Sequence, residues 1–232
     1  MFTATLSAQN RVTDHNAHGW YMYFGDHPLG SSKWGVHLEG QWRRHAVITR
    51  WQQLLLRPAI NYTINNNVML TGGYANIRSY PYGEYPALRA ATPEHRFWQQ
   101  ATIRYRTGKA SWSTRLRFEN RFLGVLNAQT NVVDRFRFEN RFRALERVAI
   151  PLSKQFYVAA YDEFWTYVPP YESRSWFDQN RAYLAIGRKL SPHWEMEFGY
   201  MNQLILQRNG RVFESNHTLM ISVFSRQPWG RR

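Results

Sequence analysis

Two octapeptides constrain this chain more than any other feature: residues 115–122 read RLRFENRF and residues 135–142 read RFRFENRF. In the first, Arg115, Arg117, Glu119 and Arg121 occupy one parity, while Leu116, Phe118 and Phe122 occupy the other. The second repeats the pattern with Arg135, Arg137, Glu139 and Arg141 against Phe136, Phe138 and Phe142. Successive side chains of a β-strand point to opposite faces, so each copy carries a charged ribbon and an aromatic ribbon. A helix would mix the two sets around its circumference. The copies are expected to pair antiparallel around the loop Leu123–Asp134, with Glu119 opposite Arg137 and Arg117 opposite Glu139. The alternative of Glu119 opposite Glu139 sets two carboxylates together. Either the rings fill a soluble core and the arginines meet water, or the rings meet lipid and the arginines line a wet interior.

The 232 residues suit one barrel domain, and no linker divides them. Apolar residues make up 44% and aromatics 16%, yet mean hydropathy is −0.58, so apolar positions alternate with polar ones. No run approaches the roughly 20 apolar residues of a transmembrane helix, which leaves a strand-built span as the membrane option. With no cysteine, disulfides and thiolate metal sites are excluded. The net charge of +14 is built almost wholly from arginine, the cation suited to paired, partly desolvated sites. Those arginines alternate within strands instead of clustering, which argues against nucleic acid as a partner. Leu6-Ser7-Ala8-Gln9 resembles the end of a signal peptide, so residues 1–14 are read as its remnant or as a first strand. Residues 15–226 form the barrel and 227–232 a tail.

Alternation predicts strands at Trp20–Phe24, Trp34–Arg43, Trp51–Ile64, Val68–Arg78 and Arg96–Arg106, then the two repeats. Phe156–Tyr167, Phe177–Leu190, Trp194–Leu206 and Val212–Phe224 follow. Pro58 predicts a bulge or an edge, and Glu146 a bulge. Ser79–Glu94 is the longest loop. Gly25–Lys33, Asn65–Asn67, Thr107–Ala110, Ser153-Lys154 and Ser191–His193 form a class of shorter turns. The expected fold is all-β, a closed antiparallel transmembrane barrel of about twelve strands (ten to twelve). Because such bacterial barrels have even strand numbers, residues 2–14 are expected to supply a twelfth. Trp34, Val68, Trp112, Phe156 and Trp194 each enter a strand after a short turn, and the four lysines lie in or beside those turns. Trp34, Trp112, Phe156 and Trp194 therefore read as an aromatic girdle at one membrane interface.

The segments LSPHWEMEFGY (190–200), INNNVMLTGGY (64–74) and LGSSKWGVHLEG (29–40) resemble hairpin units of a bacterial family, the domain of unknown function numbered 2490. EHRFWQQ (94–100), AAYDEFW (159–165) and FDQNRAYLAIGRKLSP (177–192) resemble it too, and the similarity runs over about residues 20–225. The resemblance implies an outer-membrane β-barrel in a Gram-negative bacterium, surrounded by lipid and lipopolysaccharide. It implies no catalytic residue and no cofactor.

No metal-ligand spacing, nucleophile elbow or phosphate loop is present. Ser215 and His217 share a strand face near a longer loop, which raises a lipid-modifying hydrolase as an alternative, although Glu214 has the opposite parity. The expected lumen is lined by Arg115, Arg117, Glu119, Arg121, Arg135, Arg137, Glu139, Arg141, Glu163 and Arg181, with Glu163 paired opposite Arg181. Such a lumen is either plugged by its own side chains or a narrow passage for small anionic solutes. Arg89 and Arg96 are candidates for binding lipopolysaccharide phosphates at the outer rim. A soluble barrel that binds an acidic ligand is the remaining rival.

Overall fold

Eleven strands close into one barrel in the computed structural model, which describes residues 11–169 and 175–230. They are β1 (Val12–Pro28), β2 (Trp34–His45), β3 (Arg50–Thr63), β4 (Val68–Ser79), β5 (Thr92–Thr107), β6 (Ala110–Leu126), β7 (Val133–Pro151), β8 (Phe156–Val168), β9 (Phe177–Lys189), β10 (Trp194–Leu206) and β11 (Val212–Ser225). Each strand pairs antiparallel with its chain neighbour, and β1 closes the ring by pairing parallel with β11. The parallel join is a matter of arithmetic: every hairpin reverses direction, so strands one and eleven of an odd-numbered ring must run the same way. No helix among the described residues is long and apolar enough to cross a membrane, which leaves crossing by strands open.

Pattern and burial agree around the wall. In β9, Arg181, Tyr183 and Ala185 are buried, while Leu184 and Ile186 are each about 60% exposed. In β6, Arg117, Glu119 and Arg121 are buried and Leu116 faces outward. Large apolar side chains thus coat the outside and charged ones crowd the inside, the reverse of a soluble barrel. Trp34, Phe156 and Trp194 stand exposed on the outer surface at the short-turn rim, and Trp112 stacks on Tyr105 at the same rim.

Five expectations need correction. β1 extends to Val12–Pro28, well beyond Trp20–Phe24, because small and polar residues such as Ala17, His18 and Gly19 take part in its ladders. Residues 11–14 therefore belong to β1 or its edge instead of supplying a separate strand, and residues 2–10 lie outside the described residues. The repeats pair as Glu119↔Arg141 and Arg121↔Glu139, not with Arg137 and Arg117. This register also sets Phe118 opposite Phe142 and Phe122 opposite Phe138, and lets Asn120 donate to Asn140 at 2.9 Å. The expected register would have matched one ring pair fewer and put Phe122 opposite Asp134, so the outward face decides it. Glu146 makes no bulge: it stays in register with Thr114 and Asp162, and accepts hydrogen bonds from the hydroxyls of Thr114 (2.5 Å) and Tyr105 (3.0 Å). Pro58 lies inside β3 rather than at an edge, and the β3–β4 pairing is interrupted between Leu56↔Asn76 and Ala59↔Gly73 without a change of register.

Candidate functional site: the arginine-lined lumen

A cavity of about 1370 Å³ occupies the inside of the barrel. Its lining runs from Asn66, Asn67 and Arg226 at the short-turn rim to Tyr82, Leu88 and Arg208 at the long-loop rim. Fourteen arginines and eight carboxylates line it among the described residues, so its wall is cationic even after every acid is paired.

The pairing radiates from a few buried carboxylates. Glu119, fully buried, receives Arg141 at 2.6 Å and Arg143 at 2.8 Å, with Arg96 at 3.4 Å and Arg57 and Arg117 at 4.0 Å. Glu163 receives Arg115 at 2.6 Å, Arg143 at 2.7 Å and Arg181 at 3.7 Å. Glu94 is gripped by both Arg96 and Arg121, each of which donates to both of its oxygens. Glu139 pairs with Arg121, Arg137 and Arg208. In the two repeats the R-x-E-x-R spelling puts an arginine on each side of Glu119 and of Glu139 along the same face, whereas all three partners of Glu163 come from other strands.

Three tryptophans complete the wall. The Arg57 and Arg117 guanidiniums lie over Trp98 at 5.3 and 4.4 Å, and Arg141, Arg143 and Arg181 over Trp165 at 4.1, 3.6 and 4.1 Å. Arg43 lies 3.8 Å from the Trp20 ring centre, with Arg181 at 5.0 Å. The ring faces attract these cations in addition to the carboxylates that most of them already reach, Arg141 and Arg143 each meeting two. Sequence reasoning passed over these rings and their neighbours Glu39, Arg57, Glu94 and Asp178. The available signal was parity, since Trp98 shares a face with Arg96, and Trp165 with Glu163.

Of the residues expected in the lumen, Arg115, Arg117, Arg121, Arg141, Glu163 and Arg181 line the cavity, and Glu163 sits opposite Arg181. Glu119 and Glu139 are fully buried within the ion-pair network, and Arg137 is half-buried beside Glu139. Arg135, near the loop end of β7, is exposed. Arg96 is not at an outer rim: it points inward onto Glu94 and Glu119, which removes it from any lipopolysaccharide. Arg89 donates to Asn131 Oδ1 at 2.9 Å and to the Asn127 carbonyl at 2.6 Å.

Residues 80–91 fold into the loop-side mouth. The Tyr82 hydroxyl donates to Glu214 at 2.5 Å, and Gln207 donates to Glu214 and to the Tyr85 carbonyl, both at 2.7 Å. Gly83 has φ +77°, and a Cβ there would sit 2.3 Å from Asp14 Oδ2, so glycine lets the loop lie against β1. The loop thus starts from β4 and is fastened to the β1–β11 side, while Arg89 braces it on the β6–β7 loop. Burial and then the Glu214 carboxylate push the Tyr82 phenol well above its usual range.

Ser215 and His217 face outward. His217 Nδ1 meets the Tyr200 hydroxyl at 2.6 Å, Ser215 Oγ accepts from Asn202, and Glu214 turns inward. No Ser–His–carboxylate relay assembles among the described residues, and none of their His, Asp and Glu side chains cluster as a metal site.

A family model described as a protein of unknown function, DUF2490, matches residues 17–214. An uncharacterised protein of Methylorubrum extorquens is 27% identical over 193 residues, covering 77% of this chain and 75% of the relative. A crystal structure of the porin NanC superposes with a TM-score of 0.50 at 13% identity, covering 85% of this chain and 92% of that one. That likeness concerns the fold: a closed, porin-like β-barrel.

Proposed function

The chain belongs to the DUF2490 family of proteins of unknown function, and from that premise we propose that it is an outer-membrane β-barrel whose arginine-lined interior is a narrow passage favouring small anions. The observation that carries this reading is the excess of arginine over carboxylate around a cavity lined from both rims. Fixed guanidiniums in a confined lumen attract anions and repel cations. The exterior supports a lipid setting, because Leu56, Ile60, Phe97, Leu184, Ile186 and Phe198 are each more than half exposed. A soluble surface that apolar would associate or aggregate. In this setting lipid and lipopolysaccharide surround the wall. Residues 80–91 act as the constriction that keeps the passage narrow.

Conductance across a planar bilayer tests the proposal. Under a potassium chloride gradient the reversal potential should report anion preference, and Arg117→Glu should reduce or invert it. Absence of any conductance from folded, inserted protein would leave a structural plug instead. Recovery of folded protein without detergent would favour a soluble barrel.

A further inference from the structure

Of the buried arginines that line the cavity, Arg43 alone has no carboxylate within 4.0 Å among the described residues. Its Nε and Nη2 donate to Gln41 Oε1 and its Nη1 to Gln53 Oε1 at 2.6 Å. A guanidinium carries five N–H donors, so these three contacts leave two unspent. Arg43 lies over the Trp20 ring, and the Arg181 guanidinium approaches the same ring. Trp20 is itself fixed, because its Nε1 donates to Gln52 Oε1 at 2.7 Å. The carboxylate that Arg181 reaches is Glu163, 3.7 Å away and already held more closely by Arg115 and Arg143.

Two buried guanidiniums therefore share one indole with a single, distant carboxylate between them. Burying cations without matching anions is costly, and mutual repulsion adds to the cost. A mobile anion in the cavity relieves both. Chloride would neutralise charge but cannot present two coplanar oxygens to a guanidinium fork, whereas an oxyanion can. Neutral amides hold the two guanidiniums in place on this wall: Gln53 accepts from Arg43, and the Gln203 side-chain oxygen accepts from Arg181 Nε and Nη2 at 3.1 and 2.9 Å.

We propose that Arg43 and Arg181, seated on Trp20, form a binding station for a small oxyanion of two negative charges, a phosphate or a dicarboxylate. The station rests on reading the cavity as open to solutes, and it names the chemical class of solute that lingers there.

Calorimetric titration of the full chain in detergent micelles tests this, with inorganic phosphate in one arm, succinate in the other, and ionic strength held constant with sodium chloride. Saturable binding in either arm is expected and identifies the source. Arg43→Gln should weaken it by about ten- to a hundredfold, while Arg188→Gln, on the outward face beside Phe156, should leave it unchanged. Saturable binding in neither arm, or undiminished binding by Arg43→Gln, overturns the station. Should Arg43→Gln fail to fold, two measurements replace it. The wild-type barrel should gain thermal stability from the bound anion beyond that from chloride at equal ionic strength. Arg43→Lys, which keeps the charge but loses the fork, should bind more weakly. Absence of either effect also overturns the proposal. A barrel that binds but passes no current keeps the station and loses the passage. One that conducts yet binds neither anion loses the station alone.

Discussion

Glu119 and Arg141 face each other across the β6–β7 ladder with Nη2 of the arginine 2.6 Å from the carboxylate, and four further arginines lie within 4.0 Å of the same acid. The two partners are therefore unequal. Removing Glu119 strands several buried cations, whereas removing Arg141 lightens a wall that already has an excess of them. Glu119→Gln is expected to destabilise the barrel by about 3–5 kcal/mol, the scale for breaking a buried ion pair. Arg141→Gln should cost clearly less, although it also frees Asp178. Urea unfolding in detergent or liposomes measures both. Equal losses would show that the excess of arginine is already neutralised.

The outward face makes a separate prediction. Leu184 is 60% exposed on β9. In a lipid-embedded barrel Leu184→Arg should cost about 2–4 kcal/mol if the position lies near the bilayer midplane, while on a soluble surface it would be near neutral. Unfolding from liposomes, compared with Leu184→Ala, reads the difference.

The fastening of residues 80–91 should be visible as current. Tyr82→Ala removes the anchor to Glu214, so single-channel conductance should rise and become noisier as the loop leaves the mouth. Unchanged conductance would mean the loop does not restrict the passage.

Tyr82 also predicts a pH response. Its folded pKa is raised, by burial first and the Glu214 carboxylate second, so the neutral phenol is favoured in the folded state. The stability this contributes is fully present below the ordinary tyrosine value of about 10 and declines as pH rises above it towards the folded value. Alkaline titration by ultraviolet absorbance should find one late-ionising tyrosine fewer in folded Tyr82→Phe than in folded wild type, with the number ionising in the ordinary range unchanged.

Gly187 tests the packing of the inner wall. An added Cβ would lie 2.1 Å from the Tyr157 ring, whose hydroxyl donates to Glu197 at 2.9 Å. Gly187→Ala should cost about 1–3 kcal/mol by forcing that ring aside. The loss should shrink when Tyr157 is already alanine, and a double-mutant cycle measures the coupling.

Strand positions and sidedness were legible because period-two alternation is local, and in β9 it separates Arg181 from Leu184 without reference to any other part of the chain. The β6–β7 register was not legible from charge alone. With an arginine on each side of both Glu119 and Glu139, two registers make equally good charge ladders, and the rings on the other face break the tie. Glu163 opposite Arg181 was legible, since the neighbouring sequences offer no such second solution. The clusters on Trp20 and Trp98 were hidden because each draws a guanidinium from a strand that is not a neighbour of its own, whereas Trp165 on β8 takes its three from the adjacent β7 and β9. Trp20 on β1, for instance, meets Arg43 of β2 and Arg181 of β9.

The seam between β1 and β11 sets the order of assembly. Hairpins join residues close in the chain, but Val12 meets Val212 and Gly25 meets Ser225, 200 positions apart. Contacts so distant in sequence carry the largest loop-closure entropy and form slowly. A curled but unsealed sheet, with its first and last edges still bare, is the natural penultimate species. Whatever machinery or lipid shields those two edges governs how fast this protein matures.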